Sequence, residues 1–131
     1  MDDADFNHSA LTLENLETAF YQQGFAMFPD TDFAALGLTT QDITNLHSIG
    51  GTEQTHVTTL NSAIAGAGAQ PVQPCTYNFQ FTTAAAMVGT AGVLENIGVS
   101  AYVNFYHRCR SVANTVPDIL PQRLLSRPQE F

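Results

Sequence analysis

The sequence contains no lysine and no tryptophan, and its only basic side chains besides histidine, Arg108, Arg110, Arg123 and Arg127, lie in the last quarter of 131 residues. Of its 12 acidic residues, only Asp118 and Glu130 fall beyond residue 107. A surface of that kind repels phosphate backbones and anionic lipid, which argues against nucleic acid and membrane as partners and favours metal ions. Cysteine is scarce as well. Cys75 and Cys109 offer at most one pair, which says little about redox compartment. Together with the scattered His8, His47, His56 and His107 they match no zinc-finger or zinc-ribbon spacing. No apolar run approaches the roughly 18 to 20 residues that span a bilayer, and the start lacks the basic and apolar segments of a secretory signal. The expectation is a chain without a membrane span or a signal peptide.

What is present is enough apolar chain, 44% of 131 residues, to bury one core but not two. Leu13, Leu16, Phe20 and Gly24 recur at three- and four-residue steps and predict a first helix over residues 5–28, ended by Pro29 and Asp30. The next connection has room for one short helical turn. Thr39 is placed to cap a second helix over 40–64, with Ile43, Leu46, Ile49, Leu60 and Ile64 as its apolar stripe. The segment AGAGAQPVQPCTYNF, rich in Gly and Pro, reads as a surface crossover. At about 50 Å extended it can run along a helix of about 37 Å and start a third helix parallel to the second. That helix is expected over 82–102, with Met87, Val88, Ala91, Gly98, Val99 and Tyr102 along one side. From Val103 onward every arginine and three prolines arrive and the helical period is lost. The expected fold is an all-α bundle of three long helices, domain 5–102, with the fourth helix replaced by an irregular tail, 103–131.

The acidic residues sit where apolar ones belong. Glu53 follows Ile49 by four residues and precedes Leu60 by seven, in the middle of its helix's stripe, and His56 shares that face. Glu95 follows Ala91 by four and precedes Val99 by four. Glu17 follows Leu13 by four and precedes Phe20 by three, while Glu14 lies toward the edge of the stripe and reads as a flank or solvent residue. Desolvating an unpaired carboxylate costs several kcal/mol, so three of them in a small core call for a cation. Carboxylate oxygens with an imidazole suit iron or manganese. Helical di-metal sites take one Glu from each of two helices and Glu-x-x-His from each of the other two. Here Glu17, Glu53 with His56, and Glu95 are the expected ligands, and the second Glu-x-x-His is missing. Set against this, Glu-x-x-His is common on helices by chance. Tyr21 and Tyr102 read as core that could also reach a carboxylate. His8, His47 and His107 read as surface or loop residues, and Cys75 as a buried loop residue with no histidine to activate it.

At these positions the sequence resembles a known family. ALTLENLETAFYQQGF, IGGTEQTHVTTLNSAIAGAGAQPVQPCTYNFQF and VLENIGVSAY, within residues 9–102, are similar to fungal ferritin-like proteins of the stress-response and late-sexual-development type, related to plant desiccation-associated proteins. The resemblance implies a ferritin-like four-helix bundle, a metal site at Glu17 or Glu14, Glu53, His56 and Glu95, and a stress or developmental role. Such relatives often begin with a secretory signal and continue past GVSAY into a fourth helix carrying the second Glu and His. Their absence leaves the compartment open and predicts a bundle truncated after the third helix, its tail arising from a retained intron or a shifted frame. Two functions follow. One is a partial iron or manganese di-metal site, weak or inactive in handling oxygen, peroxide or ferrous iron. The other is a non-catalytic structural or interaction protein that keeps the scaffold. The open bundle face also predicts a homodimer that pools ligands.

Overall fold

The structure, a computed structural model, describes the backbone of residues 3–113 and the side chains of residues 5–103. The described elements are all helical: α1 (Asp3–Met27), α2 (Asp30–Ala35), α3 (Thr40–Gly66) and α4 (Ala84–Ala113), with no strand among them. The chain divides into two units, 1–98 and 99–131. The first holds α1, α2, α3, the crossover and the start of α4. The second, as far as it is described, continues α4.

Local chemistry sets the boundaries. The Pro29 ring, in extended conformation, separates α1 from α2, whose Phe33 is fully buried. Thr39 starts α3 through a capping box: its hydroxyl accepts from the Asp42 N–H at 3.2 Å, and its own N–H donates to Asp42 Oδ2 at 2.8 Å. The Asp42 carboxyl is held below its ordinary range by these bonds to Thr39. At the other end Gly68, at φ +80°, takes the left-handed conformation that glycine adopts without strain. The Ala69 N–H then reaches back to the Ile64 carbonyl at 3.1 Å and satisfies one of the last carbonyls of α3.

The packing order follows from which side chains meet. Along α1, Glu14, Gln22 and Phe25 meet His56, Gln54 and His47 of α3, numbers that rise on one helix as they fall on the other. Likewise Glu17 lies against Gly98, and Gly24 against Met87 of α4. Helices α3 and α4 are therefore each antiparallel to α1 and parallel to each other, as the long crossover predicts. Residues 69–83 make that crossover without helix or strand. Its Phe79 and Phe81 set their edges against Phe20 of α1, with ring centroids 5.2 Å apart in both cases, and Tyr77 stacks on Phe79. The core joins Phe20, Tyr21, Phe33, Ile43, Ala84, Met87 and Ala91.

Several expectations need correction. Helix α4 does not stop at Tyr102 but continues to Ala113. Residues 103–113 lack an apolar period, yet they contain neither Gly nor Pro, and a helix needs no amphipathic stripe to propagate once started. Beyond Gly98 the inward stripe ends, and Val99 and Tyr102 are exposed. Ile49 on α3 is exposed too. Residues 84–103 are long and apolar enough to cross a membrane by length and composition, contrary to the expectation of no such run. The alanines, glycines and a central Glu95 mask this stretch in the letters. Cys75 is exposed rather than buried, because the crossover segment 73–76 lies outside the aromatic cluster. The side chains of His107, Cys109 and the four arginines, and the tail residues Ile119, Leu120, Leu124 and Leu125, lie outside the described residues.

Candidate metal centre

Helix α1 lies between α3 and α4, so it is buried on more of its circumference than a surface helix. Glu14, Asn15, Glu17, Thr18, Phe20 and Tyr21 are all buried. Within that run Glu14, Glu17 and Tyr21, spaced three and four apart, share one face. Helix α3 adds Glu53 and His56 one turn apart, and α4 adds the half-buried Glu95.

The densest contact is at His56. Its Nδ1 lies 3.0 Å from Glu53 Oε2 and 3.1 Å from Glu14 Oε2. One ligand atom from each of Glu14, Glu53 and His56 falls within 4.8 Å of the others. A shared ion at about 2.1 Å from each donor holds them roughly 3 to 4 Å apart, so the group needs little adjustment. The two carboxylates are almost fully enclosed, whereas the His56 side chain is 48% exposed, leaving the site open on one side. Next to this group, Tyr21 donates its hydroxyl proton to Glu95 Oε1 at 2.7 Å. Glu17 is 5% exposed and receives no hydrogen bond from the described residues.

Four carboxylates and one imidazole thus share a small volume in a chain with no Lys or Arg before residue 108. The electrostatic consequence is large. Burial, reinforced by Glu14, Glu53 and Glu95, pushes the Glu17 carboxyl up to about 8. Burial and the hydrogen bond with Glu14 push Glu53 up to about 7. For His56, burial disfavours the charged ring, but Glu14 and Glu53 outweigh it and hold its pKa above the ordinary value. Burial and the bond to Glu95 likewise raise the Tyr21 phenol. A divalent cation would favour the charged forms of Glu17 and Glu53, and carboxylate with imidazole is a donor set suited to iron or manganese. The residues present fit such an ion.

Of the expected ligands, Glu53 and His56 are brought together, while Glu17 and Glu95 adjoin them without joining the three-residue group. Glu14 is the correction. Expected at a solvent edge, it is 2% exposed and contacts His56, because α1 is enclosed from two sides. The signal available was the Glu14–Glu17–Tyr21 spacing. Tyr21 serves both as core and as a hydrogen-bond donor. His47, read as a surface or loop residue, is exposed, pairs with Asp30 of α2 at 2.8 Å and lies against Phe25. The His8 Nε2 is buried without a partner. Among the described residues there is no second Glu-x-x-His.

A family model of the ferritin-like domain matches residues 2–116, and the chain belongs to that family. Among curated proteins, none matches the chain significantly.

Proposed function

We propose that this ferritin-like protein binds one iron or manganese ion between Glu14, Glu53 and His56. This is half of a di-metal constellation to which Glu17 and Glu95 supply the remaining carboxylates. The observation that carries this reading is the His56 Nδ1 held between two buried carboxylates where no Lys or Arg of residues 1–107 is available to neutralise them. A bound iron or manganese supplies Lewis acidity and one-electron chemistry toward oxygen or peroxide. The chain's own residues would bind and orient: Glu14 of α1 and Glu53 of α3 would hold the ion from two neighbouring helices, His56 would contribute its ring on the open, solvent-facing side, and Tyr21 keeps Glu95 in place. A site for a single ion favours sequestration over turnover. The similarity to fungal stress-response and late-sexual-development proteins supports a protective or developmental role for it.

The test is metal analysis after anaerobic loading with Fe(II) or Mn(II). About one ion per chain is expected for the native protein and none for Glu14→Ala or Glu53→Ala. Equal trace binding in all three would refute the site.

A second reading rests on Val93 and Ile97 of α4, which are 58% and 51% exposed. Apolar side chains left open one helical turn apart favour a non-catalytic interaction role, with two copies meeting through that face as a homodimer.

A further inference from the structure

Helix α4 carries glycine at 89, 92 and 98, but these positions are not equivalent. A Cβ at Gly89 or Gly92 would meet nothing within 4 Å. At buried Gly98 a Cβ would lie 3.1 Å from Glu17 Oε1, 3.8 Å from Oε2 and 3.9 Å from the carboxyl carbon. The first of these is closer than ordinary van der Waals contact. The space that a side chain would fill on α4 is thus taken by the carboxylate of α1.

We infer that Gly98 is a positioning residue for Glu17, leaving the room in which its carboxylate stays inside the bundle beside Glu14, Glu53 and Glu95. This rests on the metal-site reading above and extends it to a residue that touches no metal. Each half of the pair is locally unfavourable. A glycine inside a helix weakens it relative to alanine. A carboxylate that is 5% exposed and receives no hydrogen bond from the described residues is costly to bury. Packing alone favours alanine at 98 and an apolar residue at 17. Having Gly98 beside Glu17 makes sense when a cation meets the carboxylate. Gly98 then limits how far α4 crowds that ligand.

The test uses the full chain and Gly98→Ala, with Gly92→Ala as the control on the same helix, each with and without Glu17→Ala. Two readouts are taken: thermal melting of the metal-free protein, and Mn(II) titration followed by the paramagnetic resonance signal of free Mn(II). Gly92→Ala raises the melting midpoint and leaves Mn(II) affinity unchanged. Gly98→Ala fails to raise the midpoint, regains the rise when Glu17 is truncated, and weakens Mn(II) binding about tenfold. If Gly98→Ala stabilises the metal-free protein as Gly92→Ala does, with or without Glu17, the positioning role is overturned whatever the metal does. If the two positions are coupled in melting but Gly98→Ala binds Mn(II) as tightly as the native chain, the contact is mere packing and the inference fails. Coupling in a native protein that takes up no Mn(II) overturns the metal site itself, and with it the purpose assigned to Gly98.

Discussion

The metal-free protein should lose stability as pH rises from 5 to 8, the reverse of the usual behaviour of acidic side chains in folded proteins. Glu17 is raised from 4.5 to about 8 and Glu53 to about 7, both first of all by burial. A carboxyl whose folded pKa exceeds its unfolded one stabilises fully below the unfolded value. It loses that contribution as pH climbs through the folded value. His56, also raised, acts in the same direction, because its charged ring is favoured in the folded state and is lost at higher pH. Taken at face value the Glu17 displacement corresponds to about 5 kcal/mol. The real effect is smaller. Glu17 and Glu53 titrate in one another's field, and the half-exposed His56 admits water to the site, so about 2 to 4 kcal/mol across the window is the expectation. For a chain of this size that is about 8 to 16 °C in melting temperature. The assay is helical circular dichroism against temperature in chelator at pH 5, 6, 7 and 8. Glu17→Gln should flatten the slope, and saturating Mn(II) should reverse it, because ligands must shed protons to bind. A metal-free midpoint that is constant or rises between pH 5 and 8 would refute the account of the buried carboxyls.

Two further outcomes are expected. Tyr21→Phe leaves the aromatic packing in place but strips Glu95 of its donor, costing about 1 to 3 kcal/mol in the metal-free melt. An unchanged midpoint and unchanged Mn(II) uptake would show that the bond holds nothing. For the open face of α4, light scattering on the eluted protein should report twice the chain mass and a return to monomer on Val93→Glu with Ile97→Glu. A native monomer at high concentration removes the interaction reading.

Where the helices lie was readable because their signals are local. Thr39 with Asp42, Pro29, and the Gly-Pro crossover act within a few residues of themselves, and they mark the helix ends within a few positions. Glu53 and His56 were readable for the same reason, one turn apart in an apolar stripe. Glu14 was not, because its burial depends on α1 having neighbours on two flanks, a property of the assembly and not of the stripe. The His47–Asp30 pair spans 17 residues and two elements, so no spacing rule reveals it. The extension of α4 to Ala113 is not legible from the apolar period, which reports what a helix packs against and not whether it forms.

The aromatic strap between α3 and α4 makes the geometry of the buried acidic cluster depend on chain length in a lopsided way. Residues 73–76 lie exposed ahead of the Tyr77–Phe79–Phe81 anchor, so an insertion there bulges into water at little cost. Between Phe81, fastened to Phe20, and the first turn of α4 only two residues intervene. One more residue at that point would turn the whole helix by about 100°. Glu95 would swing away from Tyr21 and Gly98 away from Glu17, with none of these residues itself altered. The few links between an aromatic clamp and a helix start thus act as the dial on which the carboxylates are set.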